Sequence, residues 1–235
     1  MSRLSDAIRR LPGLRGKRRP RWQRKDLDRK CSYALNDLDL KLEKHLGSHT
    51  GFFIEAGAND GISQSNTLFF EKYHGWTGLL VEPVNELAKR CRANRPDCIV
   101  ENTALVAFDY PGSTVEMRYC NLMSLVRGAM KSDAEEEAHL QRGCDVQGIG
   151  SYDLQVPATQ LSALLDRHGI RQVDLLSLDV EGYELSVLQG LDFERHAPSW
   201  LLIEARFRKE IDDYLASRYE VAEELSHHDV LYRRR

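Results

Sequence analysis

Carboxylates close a series of short apolar runs in this chain: Glu55 after GFFI, Glu82 after GLLV, Glu101 after CIV, Asp179 and Glu181 around the end of VDLLSL, and Glu204 after WLLI. A carboxylate can take a proton from a hydroxyl, balance a cationic ligand or ligate a hard cation. One acid at such a position commonly does no more than start the next helix. Repeated acids at equivalent positions point to a shared rim, and in an open α/β sheet the carboxyl ends of the strands are where ligands bind.

The first run continues as Glu55-Ala56-Gly57-Ala58-Asn59-Asp60-Gly61. Its glycines allow a tight turn and close approach of backbone to ligand. A dinucleotide fingerprint beginning at Gly57 would need glycine at two further places that hold Asn59 and Ile62. Asp60 would also repel a pyrophosphate seated on a helix N-terminus. The loop therefore suits a ligand with positive charge and no phosphate, of which S-adenosylmethionine is one. Glu82 follows Gly61 by 21 residues, the spacing at which a strand-end carboxylate accepts hydrogen bonds from a ribose diol. Glu82-Pro83 is also a plain helix start, with proline at the first helical position, and on either reading Glu82 is expected to face solvent.

The elements that must position these residues follow from periodicity. Continuous apolarity in the five runs predicts strands buried on both faces, as in a parallel sheet. Val84, Leu87, Ala88 and Cys91, and then Leu161, Leu164, Leu165 and His168, carry helical stripes between runs. Leu35, Leu38, Leu42 and Leu46 form an earlier one that stops at Gly47. Strand-helix alternation predicts a doubly wound α/β domain. Tyr219 to Leu225 and Asp229 to Tyr232 flank a Ser226-His227-His228 turn too short for a crossover, so that pair is expected to be antiparallel. Residues 111–156 exceed a simple connection and are expected to form an inserted lid or hairpin.

The 235 residues are 42% hydrophobic with a mean hydropathy of −0.48, and no apolar run is long enough to span a bilayer. Five cysteines, none in a C-x-x-C pair, argue against a disulfide scaffold or a zinc module and for a reducing, cytoplasmic setting. The net charge of −3 divides into +9 over residues 1–30 and −12 over the remainder. Residues 1–30 are accordingly expected to be a flexible basic arm and 31–235 the folded domain. The arm suits weak, membrane-peripheral contact with anionic lipid or another polyanion, and its Arg-rich, acid-poor composition is also that of a transit peptide. A nucleic-acid substrate is the first alternative, opposed by the acidic body and the lack of interleaved basic and aromatic residues. A noncatalytic cofactor-binding scaffold is the second, opposed by the acidic rim. Nothing in the sequence fixes the oligomeric state.

The strings FFIEAGANDG, LLVEP and DLLSLDVEGYELSVLQG resemble the signature segments of the FkbM-type methyltransferase family, and the similarity runs from about residue 31 to 233. The resemblance implies the class I, Rossmann-like fold: a seven-stranded, mostly parallel sheet with helices on both faces and an antiparallel C-terminal strand pair. It implies S-adenosylmethionine as cofactor. Glu55, Gly57, Asn59, Asp60 and Gly61 would surround its methionine end, Glu82 its ribose, and Asn102 to Ala104 its adenine. Asp179 and Glu181 would border the transferred methyl group, and from their place at the strand end they are the first candidates for the catalytic base, with the histidines as the alternative. Family members are associated with O-methylation of sugars and natural products, so the expected partner is a small hydroxylated or glycan acceptor. His74, His139, His227 and His228 are read as solvated surface residues. A divalent cation on Asp179, Glu181 and Glu204 is a further reading, not the favoured one.

Overall fold

The apolar runs do become strands whose two faces are both covered. In the computed structural model, which describes residues 30–235, the runs form β1 (Phe52–Ala56), β2 (Thr77–Val81), β3 (Ile99–Glu101), β8 (Leu175–Leu178) and β9 (Trp200–Glu204). The basic arm, apart from Lys30, lies outside the described residues. In β1, Phe53 and Ile54 point to opposite faces and both are fully buried. Burial of this kind stabilises by about 1.5–3 kcal/mol per large side chain.

Two last strands, β10 (Tyr219–Glu224) and β11 (Asp229–Arg234), complete a seven-stranded sheet of order β10-β11-β9-β8-β1-β2-β3. The five earlier strands run parallel, while β11 pairs antiparallel with both β9 and β10. This is the class I arrangement expected from the resemblance. The strand order reverses between β1 and β8, which makes their carboxyl ends the crevice of the sheet.

Helices cover both faces. On one, α1 (Leu38–Leu46), α2 (Leu68–His74) and α3 (Asn85–Asn94) bury Leu42, Leu46, Phe69, Phe70 and Cys91. On the other lie α5 (Leu161–His168), α6 (Glu184–Leu188) and α7 (Arg208–Leu215), with Leu161, Leu165, Leu188 and Ile211 in the core. The first stripe starts as a helix at Leu38, later than its leucines imply, because Asn36 and Asp37 take left-handed backbone with φ 54 and 56. Leu35 is thereby left outside the helix and exposed.

The segment 111–156 has structure of its own. β4 (Ala104–Leu105), β5 (Thr114–Tyr119), β6 (Leu125–Val126) and β7 (Tyr152–Thr159) form a second sheet of order β4-β7-β5-β6. Between β6 and β7 runs α4 (Asp133–Gln147), started by Ser132, whose Oγ accepts the Glu135 N–H at 3.2 Å, and stopped by Gly148 at φ 65. Val115, Met117, Cys120, Leu125, Leu140 and Val156 give this unit a separate apolar cluster. Among the described residues no helix is long and apolar enough to cross a membrane.

Candidate active site

A cavity of about 440 Å³ opens at the carboxyl ends of β1, β2, β8 and β9, and the second sheet and α4 supply its far wall. The chain leaves β1 through Gly57, at φ 86, where a Cβ would lie 1.9 Å from the Asp179 carbonyl oxygen. Gly57 therefore lets the two central strand ends meet. The Gly57 and Ala58 N–H groups both donate to the Val81 carbonyl at 3.1 Å, tying the turn to β2.

Of the acids expected on the rim, Glu82, Asp179, Glu181 and Glu204 line this cavity, as do Gly57, Asn59 and Ala104. Glu82 is buried rather than solvent-facing. Its two oxygens accept the Asn59 N–H at 2.8 Å and the Val84 N–H at 2.7 Å. Burial pushes its pKa up to about 7 against the pull of those two N–H groups. A carboxylate has about four acceptor positions, so two remain for a ligand.

Glu55, Asp60, Gly61, Asn102 and Glu101 are not among the lining residues, and each has other partners. Glu55 still lies within the β1 ladder, opposite Leu80 and Ser177, so its side chain drops onto a covered face. There it accepts from Ser65 Oγ, Thr67 Oγ1 and the Asn66 N–H at 2.6–2.9 Å and sits 3.7 Å from the buried Arg95. The Asp60 carboxylate accepts from the N–H groups of Ile62 and Ser63, which hold its pKa below the usual range despite partial burial. The Gly61 carbonyl accepts from Arg95 at 2.9 Å. Asn102 donates to the carbonyls of Glu82 and Pro83 at 2.9 and 2.8 Å, so it shapes the turn after β2 from behind. Glu101 faces His168 and Arg167. Glu55, Asp60, Gly61 and Asn102, expected beside the cofactor, thus stand behind the residues that line the cavity and hold them in place.

On the opposite wall, Asp179, Glu181 and Glu204 place one oxygen each within 4.8 Å of one another. Desolvation at the cavity wall and the Glu204 carboxylate raise Asp179, whose side chain is open to the cavity, well above the usual carboxylate range. Burial and Glu204 likewise push Glu181 up to about 8, although Arg206 Nη2 stands 3.0 Å from it. Glu181 is held in left-handed backbone at φ 54. One Glu204 oxygen is buried with no hydrogen-bond partner. Crowded carboxyls of this kind bind protons, a cationic ligand or a divalent cation.

The other half of the cavity comes mostly from the segment expected as an inserted lid or hairpin, though its contacting residues had no sequence motif. Asn121 to Ser124 line it from the turn between β5 and β6, Arg142, Val146 and Gln147 from α4, and Leu35 from the segment before α1. His139, expected as a solvated surface residue, is buried: its Nε2 donates to the Met123 carbonyl at 3.2 Å and lies 3.5 Å from Glu181. Burial and Arg206 lower the His139 pKa and so favour the neutral ring. The His74 side chain is buried too, against Glu43 at 2.7 Å. Alternation in β5 and a cap before α4 were the available signals, and neither marks a ligand contact.

The family model described as a methyltransferase FkbM domain matches residues 55–231. No curated protein matches the sequence. Among solved structures, a TehB-like SAM-dependent methyltransferase from Corynebacterium glutamicum is similar over 84% of this chain and 88% of its own, at 10% identity and a TM-score of 0.44.

Proposed function

Since the chain belongs to the FkbM methyltransferase family, we propose that it transfers the methyl group of S-adenosylmethionine to a hydroxyl of a sugar, a glycan or another hydroxylated natural product. One observation carries the reading. Glu82, Asp179, Glu181 and Glu204 converge on a single cavity at the switch point of the sheet, and one Glu204 oxygen there is buried without a partner. Such a wall favours a cationic ligand, and the cofactor carries a sulfonium and an ammonium.

The residues present fit that ligand. The two unused acceptor positions of Glu82 suit the ribose diol, Gly57 and Asn59 the chain leading to sulfur, and Thr103 with Ala104 the adenine side. Bound there, the cofactor supplies a methyl carbon on a positively charged sulfur that becomes neutral as an oxygen displaces it. The protein's own work is to align the acceptor hydroxyl and remove its proton. Glu181, with a pKa of about 8, and its neighbour Asp179 are basic enough to hold that proton near neutral pH. The wall formed by Asn121 to Ser124 limits the access of water, which competes as a nucleophile.

The test is calorimetric titration of S-adenosylhomocysteine, followed by transfer of labelled methyl groups to a panel of hydroxylated sugars. Binding to the wild type and release of methylated product are the expected results. Absence of binding at millimolar ligand would overturn the reading. A second reading rests on the 4.8 Å cluster: Asp179, Glu181 and Glu204 hold a divalent cation that acidifies the acceptor hydroxyl. Turnover unaffected by chelator would remove it.

A further inference from the structure

We infer that Arg142 binds an anionic group on the methyl acceptor, so that the acceptor class is an acidic or phosphorylated sugar. This rests on the methyl-transfer reading above and goes beyond it by assigning the acceptor's charge.

Arginines enter the cavity wall at two places, Arg206 and Arg142. Arg206 Nη2 already donates to Glu181 at 3.0 Å. Arg142 has no ion pair or hydrogen-bond partner among the described residues. The nearest acid along its own helix, Asp145, instead accepts from Gln141 Nε2 at 2.8 Å. A guanidinium facing a cavity without a carboxylate is a planar fork of donors, shaped for bidentate contact with a carboxylate or phosphate.

The position of Arg142 is fixed by the packing of α4. At the adjacent Gly143 a Cβ would lie 2.8 Å from Cys120 Sγ and 3.0 Å from Met123 Cβ, so the helix backbone rests directly on the turn that walls the cavity. One turn further on, Gln147 Nε2 donates to the Cys120 carbonyl at 2.9 Å. One turn earlier, His139 comes within 3.5 Å of Glu181. Arg142 thus projects from a seated helix beside the end of the cavity that holds the proposed base. The residues suited to the cofactor, Gly57 and Glu82, lie across the cavity on the strand ends. Arg206 already donates to Glu181, and Asp179 and Glu204 face the cofactor's positive groups, so Arg142 is the cavity arginine left to meet an anion. The cofactor's own carboxylate lies across the cavity with the rest of its methionine end, and an anionic acceptor group takes the place at Arg142.

The experiment first titrates S-adenosylhomocysteine into the wild type and Arg142→Gln. Arg142 is exposed, and melting temperatures verify that the variant folds. Each protein, saturated with that ligand, is then titrated with glucose, glucuronate and glucose 6-phosphate; the last two separate carboxylate from phosphate recognition. The expected result is unchanged S-adenosylhomocysteine affinity, binding of at least one anionic sugar by the wild type, and a loss of at least ~10-fold for that sugar alone in Arg142→Gln. The inference is overturned if glucose binds as well as both anions, if neither anion binds the loaded wild type, or if the preference survives the substitution. A variant that loses S-adenosylhomocysteine affinity would assign Arg142 to the cofactor's carboxylate and also overturn it. A wild type that does not bind S-adenosylhomocysteine would instead overturn the methyl-transfer reading.

Discussion

The side-chain amides of Asn59 and Asn121 meet at 3.3 Å, and both residues hold left-handed backbone at φ 48. Asn59 stands on the turn after β1, and Asn121 opens the turn between β5 and β6. The bond therefore joins the main sheet to the wall contributed by the second one. Asparagine occupies such backbone at little cost, whereas alanine there costs about 1–2 kcal/mol. Asn121→Gly should remove the tie without that strain. We expect faster amide exchange across residues 121–124 and a several-fold weaker S-adenosylhomocysteine affinity, with little change in melting temperature. Equal exchange in variant and wild type would show that the wall stands without the bond.

Glu82 has two jobs that one substitution separates. Glu82→Ala should weaken S-adenosylhomocysteine binding by at least ~10²-fold, since each charge-assisted bond to a ribose hydroxyl contributes about 1.5–3 kcal/mol. It should also lower the melting temperature without ligand, because the Asn59 and Val84 N–H groups lose their acceptor. Glu82→Gln keeps one oxygen as acceptor and should fall between. Calorimetry and thermal denaturation of both variants check the pair of effects. A melting shift with full affinity would confine Glu82 to holding the turn.

Asp179→Asn preserves size and removes a charge from the crowded wall. Methyl transfer should drop by ~10²-fold or more, the scale of a lost base or charge partner. Stability without ligand should rise or hold, because the substituted amide would no longer crowd the Glu204 carboxylate, which with desolvation raises the Asp179 pKa. Labelled-methyl transfer and melting curves measured together test this, and full turnover in the variant would shift the base to Glu181.

Stability of the ligand-free protein should decline with alkalinity. Glu82 and Glu184 are each pushed up to about 7 by burial and Glu181 to about 8, all from 4.5. A carboxyl whose folded pKa exceeds its unfolded value stabilises the fold fully below the unfolded value and stops doing so as pH rises through the folded one. Melting temperature should therefore fall from about pH 5 to about pH 8. A cationic ligand that favours the charged carboxyls should release protons as it binds. Calorimetry in buffers of different ionisation enthalpy measures that release, and zero release at neutral pH would contradict the assigned shifts.

The parallel strands were legible because covered faces require unbroken apolar runs such as Phe53-Ile54 and Leu79-Leu80-Val81. The acids that follow them were legible as strand ends but not as directions. Glu55 is still paired in β1 and turns onto a helix-covered face, whereas Glu82 lies one residue beyond β2 and reaches the cavity. That difference of two positions, with Glu55 opposite Leu80, is set by pairing register, which apolar periodicity does not report. Arg142 and Asn121 were hidden for another reason. They stand on elements whose polar faces read as surface, and only the docking of α4 at Gly143 brings the exposed Arg142 to the cavity mouth. His139 was misjudged in the same way, since a lone histidine on a polar helix gives no sign that the helix is covered.

The last strand of the sheet is not its last in space. β11, residues 229–234, lies between β9 and β10 with Leu231 and Tyr232 fully buried. During synthesis, β9 and β10 must therefore wait with unpaired edges until the residues that separate them have left the ribosome. An open strand edge is a template for intermolecular pairing. A stop or proteolytic cut before Asp229 would then remove more than a terminal strand. It would strip β10 of its strand partner among the described residues and leave the apolar edge of β9 exposed, so the pairing of two strands depends on a handful of residues translated after both.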